Sequence, residues 1–387
     1  MIRDEETRFP TTLRRLHSFD GIRGIAVLLV FLSHTSGRNQ AAFPSLNFAG
    51  IGHIGVYLFF VLSGFLLALG LFRVGINRDT LRAFYVRRIF RIIPLYAVVL
   101  VAVFSAQLLS GRVEERYLHI GDGWIGLIQH LFIYRGDGVF WTIAVEMQFY
   151  LVLPVIAWSL IRFRRAAVLT LLVVAVVNEA LYTAKFLVPD FENPIVYLSP
   201  NYRDHGTFIG IFACGVIAAY AAHFHQSALI RWSKWLNPLA LVAFLTLLSV
   251  TLFFVSWHFL GNMRPYYDLR FWSPLYGATF AIFLVSVFMG NPMTRWLNSS
   301  LLRTWGILGF SIYLLHMFVI AIVNQTGFPP PIKLAISGVC VIALAKVTYD
   351  FIERPFMDLS YRISDQRWSV PALAPLVSHQ GQKNEAS

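Results

Sequence analysis

The chain has 387 residues, of which 57% are hydrophobic and only 13% are charged. Soluble domains carry roughly 25% charged residues, so this composition excludes an ordinary soluble enzyme or binding module and indicates an integral membrane protein. The net charge of +12 does not indicate a nucleic-acid partner, because the basic residues cluster in short loops between apolar runs, as they do where they orient a membrane protein.

Ten apolar runs have about the 20 residues that a helix needs to cross the hydrocarbon core of a bilayer. These runs are 22–37, 54–72, 92–110, 141–160, 166–184, 206–222, 237–257, 271–290, 305–324 and 332–352. We therefore predict an all-α polytopic membrane protein with about ten transmembrane helices. The segment GWIGLIQHLFI at 124–134 is too short to span and is predicted to be interfacial or re-entrant.

The distribution of Lys and Arg predicts how the spans are oriented. If the N-terminus lies in the cytoplasm, 22 of the 32 Lys and Arg residues fall in cytoplasmic segments and eight fall in outer segments. Cytoplasmic loops carry the excess of positive charge, so we predict that both termini are cytoplasmic. The predicted organisation is a cytoplasmic N-terminal segment (1–17), one transmembrane domain (18–357) and a flexible cytoplasmic tail (358–387).

The first span, SFDGIRGIAVLLVFLSHTSG, carries ionisable residues that crossing a bilayer does not require. Arg23 and His34 are eleven residues apart, which places them on one helical face roughly 16 Å apart along the axis, and Asp20 lies on nearly the same face. Taken singly, Arg23 fits a snorkelling charge that sets topology, and His34 fits a hydrogen bond between helices. Together they indicate a functional path along this helical face, from one side of the membrane toward the other.

The second and third spans add a small-residue pair and a cluster of arginines. GVYLFFVLSGFLLA places Ser63 beside Gly64, and this pair fits close packing of helices. RAFYVRRIFRIIPLYAV presents Arg88 and Arg91 on one helical face at a cytoplasmic helix start. Guanidinium groups bind phosphate through paired hydrogen bonds, so these arginines fit either anionic lipid headgroups or a polyphosphate such as coenzyme A.

The fourth span begins FWTIAVEMQFY and carries a carboxylate. Glu146 lies about 8 Å inside the outer end of this span, and His34 lies about 5 Å inside its own, so the two side chains could meet. A carboxylate that accepts the Nδ1 proton of a histidine fixes its tautomer and raises the basicity of the other nitrogen, which suits removal of a proton from a hydroxyl. The alternative is a buried ion pair that only fixes helix packing.

The last two spans carry two further polar positions. FSIYLLHMFVI places His316 near mid-membrane, where it fits a satisfied hydrogen bond between helices. FIERPF ends the tenth span with Glu353 and Arg354, which fit an ion pair at a helix end.

In their order along the chain, these segments resemble the motifs of the acyltransferase 3 family of multi-pass bacterial membrane proteins, over about residues 18–357. FDGIRGIAVLLVFLSH carries an Arg-x10-His pair at Arg23 and His34, and RRIFRIIPLY carries an Arg-x2-Arg at Arg88 and Arg91. FWTIAVEMQFY is similar to a Trp-Ser-Leu-x2-Glu-x2-Phe-Tyr motif, with Thr and Ile where Ser and Leu are usual. Three further motifs are similar to GVYLFFVLSGFLLA, LGFSIYLLHMFVI and FIERPF.

The resemblance implies an acyltransferase that takes an acyl group, usually acetyl, from acyl-CoA in the cytoplasm. The implied acceptor is a hydroxyl of a carbohydrate or glycolipid, such as an exopolysaccharide, an O-antigen or a lipo-oligosaccharide, at the outer face of the bacterial cytoplasmic (inner) membrane. The implied partners are acyl-CoA, this acceptor and the lipid bilayer, with glycan-assembly proteins as further candidates. We expect no permanently bound cofactor, and no metal site, because the two cysteines lack metal-ligand spacing.

The resemblance also implies roles for individual residues. His34 is the expected general base on the acceptor hydroxyl, or a transient acyl carrier, and Glu146 is the catalytic carboxylate that orients it. Three arginines are expected to bind the CoA end, namely Arg23, Arg88 and Arg91. The supporting residues are Asp20, which holds Arg23 in place, and Ser63, Trp141, Tyr150, His316 and Glu353.

Other classes of function stay open at this point. A transporter or flippase would move acyl or glycolipid substrates without making a bond, and its usual signs, inverted repeats and broken helices, are not evident in the sequence. A non-catalytic membrane scaffold would not need the whole set of ionisable residues. The other large class of membrane-bound O-acyltransferases also relies on a histidine, but it lacks the Arg-x10-His opening.

Overall fold

The computed structural model describes residues 9–36, 47–110, 120–187, 208–260 and 272–364. Within these ranges the chain is helical and contains no β-strand, which confirms the predicted all-α class. Most of the predicted cytoplasmic tail lies outside the described residues, and the assignment of that tail stays a prediction.

The described residues form thirteen α-helices, joined in places by short 3₁₀ or π segments. In chain order they are α1 (Phe9–His34), α2 (Gly52–Val74), α3 (Arg78–Ser110), α4 (Gly123–Leu131), α5 (Trp141–Phe163), α6 (Arg165–Leu187), α7 (Ile209–Phe224), α8 (Gln226–Leu260), α9 (Ser273–Phe288), α10 (Ser300–Ile307), α11 (Gly309–Asn324), α12 (Pro330–Thr348) and α13 (Arg354–Ile363). The 3₁₀ segments are Gly138–Phe140 and Pro292–Asn298, and the π segment is Tyr349–Glu353.

Fewer helices qualify as membrane spans than the sequence predicted. Among the described residues, six helices are long and apolar enough to cross a membrane, or up to eight if each of two bent pairs is one span. The count of about ten is therefore not confirmed, although each predicted run coincides with a helix or, for 305–324, with parts of two. The charged residues Asp20 and Arg23 reduce the hydropathy of α1, which is not among the six, and α7 has only 16 residues. The cytoplasmic location of both termini stays a prediction.

The chain bends sharply at two breaks, and only one of them lies within a predicted apolar run. The chain turns by 94° between α9 and the 3₁₀ segment that follows it, and by 81° between α10 and α11. The first break lies at the end of the predicted run 271–290, before the polar stretch NPMTRWLN. The second break falls inside the predicted run 305–324, which stays apolar, so hydropathy alone did not show it. The sequence expectation of an unbroken helix is wrong at this second place.

Helix α1 and helix α10 touch backbone to backbone at glycines. A Cβ atom added to Gly24 would lie 2.0 Å from the carbonyl oxygen of Leu302, and one added to Gly306 would lie 1.8 Å from the carbonyl oxygen of Asp20. No larger residue fits at such distances without displacing a helix, and small residues permit this kind of approach between helices in membranes. The contact fixes the position of the part of α1 that carries Arg23.

Helices α2, α5 and α7 form the aromatic centre of the bundle. The ring of Phe212 on α7 stacks on Phe60 of α2 at 4.5 Å and on Phe149 of α5 at 3.9 Å. A Cβ atom on Gly64 would lie 2.6 Å from the carbonyl oxygen of Phe212. Gly64 thus has the packing role that the sequence predicted, and it leaves the neighbouring Ser63 to face another side of α2.

Helix α4 is the short segment that the sequence predicted to be unable to span a membrane. It has nine residues, with Trp124 and Ile128 exposed and His130 fully buried. The Nδ1 atom of His130 lies 2.7 Å from the carbonyl oxygen of Gly126, and the backbone N–H of Asp137 donates to its Nε2 atom at 2.8 Å. His130 therefore ties α4 to the loop that leads into α5.

Burial of His130 makes this connection sensitive to acid. Burial lowers the pKa of His130 below its ordinary value of 6.5. The unfolded chain then takes up a proton more readily than the folded protein, so the His130 contribution to stability is full above about pH 6.5 and falls as the pH drops below it. We expect the wild type in detergent to lose thermal stability between about pH 7 and pH 5, and His130→Gln to lose less. The exposed His225→Gln is the control, and equal pH slopes in all three proteins would contradict the prediction.

Candidate active site

A cavity of about 110 Å³ lies inside the bundle, bounded by α1, α2, α3, α5, α10 and α11. Apolar side chains such as Phe59, Leu66 and Phe310 form part of its wall. The polar side chains that line it are Arg23, Ser63, Arg88, Arg91, Thr142, Glu146, Tyr150 and Tyr313. The structure thus gathers around one space the three arginines, the carboxylate and two of the supporting residues that the sequence predicted.

The arginines reach this cavity from two helices that are distant in the sequence. Arg23 lies on α1, and its Nη1 atom donates to Asp20 at 2.8 Å, which is the contact predicted for Asp20. Arg88 and Arg91 lie three residues apart on α3, as the spacing predicted. The Nε atom of Arg88 is buried and has no hydrogen-bond partner among the described residues. Buried donors are normally satisfied, and an anion satisfies a guanidinium best, so this part of the cavity suits an anionic group.

Glu146 holds a hydrogen-bond network on the same cavity wall. Its Oε1 atom accepts from the hydroxyl of Ser63 at 2.6 Å and from the hydroxyl of Tyr150, one turn further along α5. Arg88 is close enough for the charge of this carboxylate to act on it. The hydrogen bonds therefore join α2 and α5 around one acidic side chain, with Arg88 of α3 nearby.

The predicted contact between Glu146 and His34 is not formed. The carboxylate bonds to Ser63 and Tyr150, whereas the ring of His34 meets His316. Counting residues from a helix end gives the depth of a side chain but not the direction in which it leaves the helix. The prediction rested on the similar depths of the two side chains alone. In the structure, each side chain is hydrogen-bonded to other residues.

His34 and His316 form a hydrogen-bonded pair between α1 and α11. Nε2 of His316 lies 3.2 Å from Nδ1 of His34, and the ring centroids are 4.9 Å apart. Nδ1 of His34 also lies 2.9 Å from the carbonyl oxygen of Val30, and Nδ1 of His316 lies 2.6 Å from that of Tyr313. His316 is fully buried. Its expected interhelical hydrogen bond is present, but the sequence did not identify His34 as the partner.

Tyr313 connects the histidine pair with the cavity. Its side chain lines the cavity, and its ring centroid lies 5.8 Å from that of His316. Its hydroxyl accepts from Thr142 at 2.7 Å and donates to the carbonyl oxygen of Val139 at 2.9 Å. The candidate site therefore has two adjoining parts, the cavity and the histidine pair. The sequence reading missed Tyr313, whose signal was its place three residues before His316 on one helix.

Four of the six predicted supporting residues do not line the cavity. Asp20 and His316 contact the site through Arg23 and His34. The other two are Glu353 and Trp141. Glu353 is buried at the end of the π segment and accepts a hydrogen bond from Ser311 of α11. The predicted ion pair with Arg354 is absent from the described part of the chain, because Glu353 points into the bundle while Arg354 is exposed. Trp141, the first residue of α5, is buried and stacks on Phe208 with centroids 5.2 Å apart. Both residues hold helices in place around the site.

Comparison with known proteins bears on what this site does. A protein named putative peptidoglycan O-acetyltransferase YrhL, from Bacillus subtilis, is 28% identical over 92% of this chain and 57% of its own length. O-acetyltransferase OatA of Staphylococcus aureus is 25% identical over 90% of this chain and 58% of its own length. Nodulation protein 10 of Rhizobium leguminosarum bv. viciae is 25% identical over 92% of this chain and 96% of its own length. No solved structure is significantly similar to the chain.

The chain spans less than three fifths of the length of the first two of these relatives. A family model described as an acyltransferase domain matches residues 16–349. The matched residues make up most of the chain and include the whole cavity lining and both histidines. On the extent of that match, the chain belongs to the acyltransferase 3 family.

Proposed function

We propose that the chain is a membrane O-acyltransferase that moves an acyl group, in the first place acetyl, from acyl-CoA to a hydroxyl of a carbohydrate acceptor. One observation carries the proposal: three arginines converge on a cavity inside the bundle, next to a pair of histidines. Family membership and the names of two relatives, both O-acetyltransferases, support the acetyl group.

Acyl-CoA is proposed to enter from the cytoplasm with its phosphates toward Arg23, Arg88 and Arg91. A drug-sized ligand fills about 300–1,000 Å³, so a cavity of about 110 Å³ suits the acyl-thioester end of the donor rather than the whole molecule. In this scheme Glu146 orients the Arg88 guanidinium with the help of Ser63 and Tyr150. This role replaces the one that the sequence predicted for Glu146.

The proposed reaction needs one base. His34 removes the proton of the acceptor hydroxyl, and the oxygen attacks the carbonyl carbon of the thioester. When the tetrahedral intermediate collapses, the carbon–sulfur bond breaks and the proton passes from His34 to the departing CoA sulfur. In the alternative, a ring nitrogen of His34 attacks the thioester carbonyl, and the carbon–sulfur bond breaks to release CoA as its thiolate. The acceptor oxygen then attacks the acyl-imidazole, the carbon–nitrogen bond breaks to free His34, and the hydroxyl proton passes to the CoA thiolate.

The acceptor is proposed to be a glycan at the outer face of the bacterial cytoplasmic membrane. The names of the relatives refer to peptidoglycan O-acetylation and to nodulation. The orientation predicted from Lys and Arg places the His34 end of α1 on the outer side, where such an acceptor would be presented. Glycan-assembly proteins are proposed as further partners.

The function is tested with radiolabelled acetyl-CoA. Membranes from cells that make the chain, and from matched cells that lack it, are mixed with envelope glycan from the organism that encodes it. Base-labile label on the glycan is expected only when the chain is present. If acetyl-, succinyl- and isovaleryl-CoA all leave the glycan unlabelled, the proposal is wrong.

One competing function gains support from the bent helix pairs. Broken helices are common in transporters, and here the chain bends by 94° and by 81° at two breaks between helices. A transporter or flippase would move label into or across sealed vesicles without forming an ester. The same experiment separates the two functions, because only the acyltransferase makes label that base releases from the glycan.

Arg88→Gln is expected to raise the KM for acetyl-CoA. A hydrogen bond to a charged group contributes about 1.5–3 kcal/mol, which corresponds to a rise of about 10- to 100-fold. Arg82→Gln, at an exposed position near the start of the same helix, is the matched control and should leave the KM unchanged. Initial rates over a range of acetyl-CoA concentrations measure both, and equal KM values in the two variants would remove Arg88 from the donor site.

A further inference from the structure

The histidine pair gives enough contacts to assign the protons on both rings. A carbonyl oxygen can only accept a hydrogen bond. His316 Nδ1 lies 2.6 Å from the carbonyl oxygen of Tyr313, so this nitrogen carries a hydrogen. His316 is fully buried, and burial favours the neutral ring. In a neutral ring with a hydrogen on Nδ1, the Nε2 atom is an acceptor.

The same argument applies to His34. Its Nδ1 atom lies 2.9 Å from the carbonyl oxygen of Val30 and 3.2 Å from Nε2 of His316. Both neighbours are acceptors, so the hydrogen sits on Nδ1 of His34 and is shared between them. The second nitrogen of a neutral ring then carries a lone pair, which places the basic position of His34 on Nε2.

We propose that His316 is the positioning residue of His34, which deepens the proposed function and rests on it. His316 accepts the Nδ1 hydrogen of His34 and thereby keeps His34 in the tautomer whose Nε2 can take the proton of the acceptor hydroxyl. The hydroxyl proton moves to Nε2 of His34 and later to the CoA sulfur. His316 neither gains nor loses a proton in this sequence.

The pair takes the place that a carboxylate holds in other histidine-containing sites. A carboxylate would stabilise the imidazolium that forms on His34 through its charge, whereas the neutral ring of His316 does so through a hydrogen bond alone. The arrangement adds no unpaired charge at a fully buried position, which would be costly. His316 fixes ring orientation as well, because its own ring is held by α11 through Tyr313.

Three variants test this role in purified protein assayed with acetyl-CoA and glycan acceptor. His316→Leu is expected to lower kcat by about 10- to 100-fold, less than the loss of the base itself, with an unchanged KM for acetyl-CoA. His316→Gln keeps an acceptor for the Nδ1 hydrogen and should recover part of the lost kcat. His225→Gln, an exposed histidine on the loop after α7, is the matched control and should behave as the wild type.

The outcomes separate failure of this proposal from failure of the proposed function. A wild type that transfers no acyl group overturns the proposed function. A fully active wild type with an equally active His316→Leu overturns only the role of His316. A rise in KM without a fall in kcat in His316→Leu would also overturn it, since a positioning residue of the base acts on the chemical step.

A second measurement does not depend on activity. In proteoliposomes made with ¹⁵N-labelled histidine, solid-state NMR distinguishes protonated from unprotonated ring nitrogens, and subtraction of the His34→Gln spectrum identifies the His34 signals. We expect the hydrogen of His34 on Nδ1 and a shift of that resonance in His316→Leu. A hydrogen on Nε2 of His34 in the wild type would overturn the assignment, whatever the activity of the variants.

Discussion

His34→Ala is expected to lower kcat for acyl transfer by about 10²–10⁴-fold, because a positioned general base contributes that much to the chemical step. The KM for acetyl-CoA should change little, since the arginines that are proposed to bind the donor are untouched. The measurement is the initial rate of base-labile label on glycan, with wild type and variant at matched amounts in the membrane. Equal rates would remove His34 from the chemistry.

Trapping experiments then distinguish the two roles proposed for His34. If His34 carries the acyl group, wild-type protein incubated with labelled acetyl-CoA and no acceptor should retain label that hydroxylamine releases, and His34→Ala should not. If His34 acts as a base only, neither protein retains label. His225→Ala serves as the control for a histidine outside the site.

Gly306→Ala is expected to disrupt the contact between α1 and α10. The added Cβ atom would lie 1.8 Å from the carbonyl oxygen of Asp20 and 3.0 Å from the backbone nitrogen of Gly24. Forcing apart such a packed contact costs about 1–3 kcal/mol of stability. Because α1 carries Arg23 and His34, its displacement should lower acyl transfer as well as thermal stability.

The matched control for this variant is another glycine that faces α1. A Cβ atom on Gly338 of α12 would meet Phe31 at 3.9 Å, an ordinary contact distance, so Gly338→Ala should fold and work as the wild type does. Thermal unfolding in detergent and initial transfer rates compare the two. A Gly306→Ala protein with wild-type melting temperature and rate would show that the helices yield at this contact without consequence.

The three arginines of the site could be predicted from the sequence. Charged residues are costly inside a bilayer, so Arg23 stood out within the first span. Arg88 and Arg91 stood out as part of an arginine cluster at a helix start, and their three-residue spacing predicted a common face. The backbone contact between α1 and α10 was not predictable in this way, because it joins residues about 280 positions apart.

The hydrogen-bond partner of His34 could not be predicted from the sequence in the same way. Depth along a helix follows from residue counting, and on depth Glu146 was a fitting partner. The choice between Glu146 and His316 depends on how α5 and α11 are rotated and where they cross α1, and tertiary packing sets both. The bend between α10 and α11 was not predictable for a related reason, since it leaves the apolar pattern uninterrupted.

The bent pair α10–α11 has a mechanical consequence for the site. Its first arm holds α1 at Gly24, and its second arm holds α1 at His34 through His316. One continuous α-helix therefore separates Arg23 from His34, and the bent pair contacts it near both residues. The distance between Arg23 and His34 along α1 is therefore fixed. We expect donors or acceptors of different size to be accommodated by movement of α3 and α5, which carry Arg88, Arg91 and Glu146.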